Sequence, residues 1–154
     1  MSASERMVIA QQTYHERQFH MENTGWGQAI MDAAMLNLSA DAAAQVASRA
    51  AVAQAVGYRF RGFSQAYEDV APSMDHFAFF RLATNLMLLM PVDDAASSML
   101  LFPTWPRYWD VQVKLHGPRN TVVEAACTAG KLDYLRVTPP ERARDVVLVG
   151  CRGS

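Results

Sequence analysis

The chain has 154 residues, 51% of them hydrophobic and 19% charged, with a formal net charge of -1. That length suits one ordinary domain or two small ones, and the interspersed charge leaves no basic patch for nucleic acid. The longest apolar run, Leu86 to Val92, is broken by Pro91 and is too short to span a bilayer; the start, Met1 to Arg6, does not read as a signal peptide.

Nine methionines are scattered through apolar helical positions and read as core filler. The four histidines form no HExxH, and the two cysteines have no companion at CxxC spacing, so no metal site is expected. Cys127 and Cys151 both fall in expected strands that could be neighbours. The expectation is two buried thiols; a disulfide would require an oxidising compartment.

In chain order, residues from about Ser4 to Phe19 give a mixed pattern, read as a short helix or as a strand or tail. Two glycines then flank Trp26, and Asn23 or Thr24 can cap a following helix. From Trp26 to about Leu38 the apolar residues Ile30, Ala33, Ala34 and Leu38 fall near one side. Ser39 is an expected N-cap for a second helix, alanine-rich from Ala42 to about Gln54, with Gly57 as its stop. The short link predicts a helical hairpin.

Tyr58 to Ser73 has no clean period. Its aromatic and mixed-charge content suits a wall of a binding site or a loop tucked into the body. Ser73 is the expected N-cap of the most apolar helix, which contains Phe79, Phe80, Leu82, Ala83, Leu86, Met87, Leu89 and Met90 and should end at Pro91. So broad an apolar surface predicts a helix buried between neighbours.

Leu101 to Trp109, with two prolines and two tryptophans, reads as a seam at which helical spacing gives way to alternation. Ser98 to Phe102 is a first strand. Trp109, Val111, Val113 and Leu115 alternate with polar residues in a half-buried strand. Gly117 to Asn120 form a turn, and Thr121–Cys127 and Leu132–Val137 form a hairpin around Ala129-Gly130. Asp145 to Cys151 is a nearly continuous apolar strand, expected at the centre of the sheet. The class is therefore α+β, with helices in residues 1–96 followed by a small antiparallel β domain in residues 97–154.

No local signature specifies an enzyme. Asp75 and His76 are the most suggestive pair. A carboxylate in the first turn of a helix meets unpaired amides and the positive end of the dipole, which favour its ionised form. Asp75 can thus stabilise the helix start or act as a general base, and His76 can pack or bind. Glu22, Asn23 and Trp26 make a second polar and aromatic cluster, readable as a structural cap.

Glu22-Asn23-Thr24-Gly25-Trp26-Gly27-Gln28, Pro72-Ser73-Met74-Asp75-His76-Phe77 and Leu100-Leu101-Phe102-Pro103-Thr104-Trp105-Pro106 follow one another in this order. Trp109-Asp110-Val111 and Lys114-Leu115-His116-Gly117-Pro118-Arg119-Asn120 come after them. Together they resemble the C-terminal end of bacterial proteins similar to glycoside hydrolase family 95, the α-L-fucosidase group. The resemblance runs from about Glu22 to Val149. It implies the last hairpins of an (α/α)6 barrel, then a C-terminal β domain. It also implies an inverting hydrolysis of O-glycosyl bonds without a cofactor, with Asp75 as the base and Glu22, Asn23, Trp26 and His76 lining the sugar site. Where the group has a small residue after the aspartate, this chain has His76. The general acid and most of the barrel would lie upstream of Met1.

The implied partners are a carbohydrate and either a complementing upstream chain or a second copy, with no nucleic acid and no membrane. The chain alone would be inactive. Parents of this type are often exported, which leaves the location open. The alternative is a non-enzymatic carbohydrate-binding or oligomer-forming module, with Trp105 and Trp109 facing solvent.

Overall fold

The computed structural model describes residues 2–17, 28–52, 74–92 and 98–152; of Val52 and residues 74–77 it describes the backbone alone. The fold is α+β, with helices first and strands after. The chain forms two compact units, residues 1–84 and 85–154.

In the first unit α1 spans Ala3–Glu16, α2 Ala29–Met35 and α3 Ser39–Val52. The start of α1 is fixed by a reciprocal cap. The Glu5 amide donates to Ser2 Oγ at 3.2 Å, and the Ser2 amide donates to Glu5 Oε2 at 2.6 Å. Two of the amides that a helix start leaves unpaired are thereby satisfied. Helix α2 stops in a Schellman-type turn, with Asn37 left-handed at φ 57° and the Leu38 amide donating to Ala33 O at 3.0 Å. Helix α3 then begins at Ser39 itself, where Ser39 was expected as the cap; the Ala42 amide donates to Leu38 O at 2.9 Å. Helices α2 and α3 pack together. α2 buries Ala29, Ile30, Ala33 and Ala34. The buried face of α3 carries Ala42, Gln45, Val46 and Arg49, the i, i+3, i+4, i+7 set of one helical face. The segments Trp26–Gly27, Ala53–Gly57 and Tyr58–Ser73 lie outside the described residues.

Helix α4, Met74–Leu88, crosses the division between the units. The sequence predicts helix through Met90 with Pro91 as terminator. Instead the chain turns from helix to strand at Leu88, and Leu89–Pro91 is β1. A helix stopped at Pro91 would leave its last carbonyls unpaired, whereas these residues pair with β2, and Pro91 is tolerated because β1 is an edge strand.

Among the described residues the second unit has two three-stranded sheets. The first is ordered β1-β2-β6, from β1, β2 (Met99–Leu101) and β6 (Val146–Leu148). β1 and β2 are antiparallel, with Leu89 opposite Leu101, whereas β2 and β6 are parallel, with Met99 opposite Val146. The apolar run from Asp145 to Cys151 is therefore an edge strand of three residues, contrary to the expected central position. Its alternate residues Val147 and Val149 are exposed, so the run is apolar without being enclosed. A 3-10 helix, Pro140–Asp145, delivers the chain to it.

The second sheet is the meander β3 (Val111–Gly117), β4 (Thr121–Thr128), β5 (Lys131–Thr138). Thr128 pairs with Lys131 across Ala129 and Gly130, both at positive φ, as a two-residue type I′ hairpin requires. Asp110 Oδ1 accepts the Ala129 amide at 2.8 Å and anchors this turn to the entry of β3.

The core of this unit contains Leu88, Leu89, Met99, Leu101, Phe102, Val123, Ala125 and a Cys127–Cys151 disulfide. The disulfide replaces the two expected thiols. Alternation brings Cys127 to the inner face of β4, and the chain leaving β6 passes over it. In the chain-entropy view, joining residues 24 apart stabilises by roughly 3 kcal/mol. Phe102 turns the corner after β2. It is left-handed at φ 57° and fully buried, and its amide donates to Leu88 O at 2.7 Å. Burying such a side chain contributes about 1.5–3 kcal/mol.

Gly150 passes directly over the backbone of Phe102, and a β-carbon there would overlap the Phe102 carbonyl oxygen. Backbone on both sides leaves no flexible atom to move away. Gly150→Ala is expected to destabilise the second unit by about 1–3 kcal/mol in urea unfolding. An unchanged midpoint would show that the two segments do not touch this closely.

Candidate functional site

The residues singled out by sequence are only partly within the described structure. Asp75 and His76 are consecutive residues at the start of α4, as expected, and their side chains lie outside the description. The first helical turn leaves amides without intrahelical partners, so position 75 is one where a carboxylate is favoured. Glu22, Asn23 and Trp26 lie outside the described residues. Among the described residues no group of three or more His, Cys, Asp or Glu could hold a metal ion, and no helix is long and apolar enough to cross a membrane.

A polar cluster in the first unit was not anticipated. Its centre is Tyr14, 2% exposed, on α1. Gln45 of α3, 1% exposed, donates from Nε2 to the Tyr14 hydroxyl at 2.6 Å. Arg17 lies with its guanidinium carbon 5.3 Å from the Tyr14 ring centroid and pairs with Asp32 of α2 at 2.8 Å. His15 Nε2 lies 3.2 Å from Asp41 Oδ2. Gln11 ties α1 to the end of α2, donating to Leu36 O at 2.8 Å. The cluster borders an open cavity of about 280 Å³, lined by the polar Thr13, Arg17 and Asp32 and by Ala10, Tyr14, Met35 and Leu36.

These groups hold the helices together more than they prepare a reaction. Burial, reinforced by the negative charge of Asp41, pushes the Tyr14 phenol up; the Gln45 hydrogen bond and Arg17 oppose this. Tyr14 is thus a neutral hydrogen-bonding group across the ordinary pH range and no base. Asp32 and Asp41 each face a basic side chain. Among the described residues Asp32 is the single carboxylate lining the cavity, whereas a glycosidase uses a pair. Burial also holds the Arg49 guanidinium below its usual value.

The local signal for this cluster lay in the sequence only at its edge. Ser2 and Glu5 have capping-box spacing and mark α1 as a helix. The pairings of Tyr14 with Gln45 and Arg17 with Asp32 join distant positions, and no local pattern announces them.

In the second unit the tryptophans of the Leu101–Trp109 stretch are also placed. Trp105 Nε1 donates to Trp109 O at 3.0 Å, and the two rings meet edge to face at 5.3 Å. Trp105 packs against the core. Comparison of the chain with protein-family models, curated proteins and solved structures gives no match.

The raised phenol of Tyr14 has a pH signature. The folded state keeps its proton where the unfolded chain has lost it, so this stabilisation is complete below tyrosine's ordinary value of about 10 and fades as pH rises through the higher folded value. Thermal melts of the first unit should therefore lose stability above about pH 10, and Tyr14→Phe should flatten that loss. The same alkaline slope in both proteins would contradict the burial of this hydroxyl.

Proposed function

We propose that this chain is the C-terminal portion of a glycoside-hydrolase-like protein of the α-L-fucosidase type, with Asp75 as the base that activates water. The observation that carries the reading is the position of Asp75 in the first turn of a 15-residue apolar helix that leads straight into the β unit. Helices first and a small β unit after them is the order that the family resemblance implies. Glu22, Asn23, Trp26 and His76 would line the sugar site.

In an inverting hydrolase one carboxyl protonates the departing oxygen and a second, about 6.5–9.5 Å away, takes a proton from the attacking water. A carboxylate in the first turn of a helix, where the ionised form is favoured, suits the second role. On this reading the general acid comes from a complementing polypeptide or a longer form of the chain. The surface of α1 supports that requirement. Met7, Val8 and Ile9 are exposed on successive positions of one helix, which is more apolar surface than a helix facing water usually offers.

The carbohydrate-binding alternative has one observation in its favour. Tyr108 is 76% exposed and is backed edge to face by Trp109. Against it, the indoles of Trp105 and Trp109 are half-buried and inclined at 72° to one another, which offers no flat pair for a sugar to stack on.

The assembly isolated from source cells through this chain should hydrolyse an aryl α-L-fucoside with inversion. Asp75→Asn should lower kcat by about 10²–10⁴-fold, the usual worth of a general base. Undiminished turnover in the variant would remove Asp75 from the mechanism.

A further inference from the structure

We infer that oxidation of Cys127 and Cys151 by a disulfide-bearing oxidant is what seats residues 146–152 on the β unit, so that this unit is completed in an oxidising compartment. Three observations carry the inference.

First, the segment is weakly held by anything else. β6 is a three-residue edge strand paired on one side with β2. Beyond it, Val149 donates to Leu101 O at 3.0 Å, and Arg152 exchanges backbone bonds with Gly130 and Leu132 at 2.9 and 3.0 Å. Val146 and Leu148 pack against the core, but Val147 and Val149 are exposed, so two of the four apolar residues from Val146 to Val149 contribute little burial. Short, exposed pairings of this kind are the first to open.

Second, the disulfide sits where the segment needs a tether. It joins the last buried position of β4 to the residue after Gly150, which must lie against the Phe102 backbone. Fixing Cys151 therefore fixes the close approach of Gly150.

Third, the bond is sealed once made. Cys127 is 2% exposed and Cys151 7%. Exchange requires a thiolate to reach one of the sulfurs, so the folded state resists reduction and the latch closes in one direction. In the closing step the two thiols form the sulfur–sulfur bond. Their two protons and two electrons pass to the oxidant's own disulfide, which is released as two thiols.

The test uses the full chain in oxidised form, and the same chain reduced with a phosphine in mild urea and returned to buffer. Amide exchange is read by mass spectrometry. On reduction, residues 146–152 should exchange about 10-fold faster or more, while β3, β4 and β5 keep their protection. Without urea, millimolar dithiothreitol should leave the oxidised chain unlabelled by maleimide. The double variant Cys127→Ala, Cys151→Ala should exchange like the reduced chain. Equal protection of residues 146–152 in both forms would overturn the inference, since packing alone would then seat the segment. Loss of protection throughout β3–β5 would overturn it too, because the bond would then hold the whole unit rather than its last strand. Ready labelling of the oxidised chain would mean that the bond is not sealed.

Discussion

The second unit depends on the close approach of two backbone segments, the corner at Phe102 and the strand end at Gly150. Phe102 fills the centre of the core, and its left-handed backbone turns the chain out of β2. Gly150 allows the returning chain to lie on that corner without a side chain between them. The consequences spread outward. Leu101 can accept the Val149 amide, β6 can align parallel to β2, and Cys151 arrives over Cys127 on the inner face of β4. The parallel pairing of β2 with β6 thus goes together with this tight contact, which the Cys127–Cys151 bond holds in place.

The first unit is organised differently. Its interior mixes small apolar residues with a satisfied polar centre, Tyr14 and Gln45, bordered by the Arg17–Asp32 pair. A buried hydroxyl and amide are tolerated because each meets the other, and losing one partner would leave the other desolvated and unpaired. Such an arrangement specifies how α1 meets α3 while contributing little net stability. Together with the exposed apolar residues near the start of α1, it describes helices that have a defined packing yet unspent apolar surface.

Much of this was legible in the sequence, and the reasons differ by element. β3 announces itself because Val111, Val113 and Leu115 alternate with Gln112, Lys114 and His116, and one side of the strand is covered. The turn at Ala129-Gly130 follows from backbone angles that glycine favours. α4 was legible in its core and not at its end, because Leu89 and Met90 are as apolar in a strand as in a helix and only pairing with β2 decides. The run from Asp145 to Cys151 misled for a related reason: apolar content does not distinguish a central strand from an edge. The disulfide and the Phe102–Gly150 contact depend on positions distant in the chain, which no local window registers. Asp75 was legible as a residue of a helix start, since Ser73 and the apolar run locate that start within a residue or so. Its companions Glu22, Asn23 and Trp26 lie outside the described structure and are placed with it by resemblance alone.

On the proposed reading this chain contributes one part of a larger carbohydrate-hydrolysing unit. The native mass of the species carrying it in source cells tests this most directly, by light scattering on material captured with an antibody to the Leu101–Trp109 region. The account predicts a particle well above the 17.1 kDa of the chain, whether one longer polypeptide or an assembly. A monodisperse particle of 17.1 kDa would contradict it, because the helices of the first unit would then need no further partner.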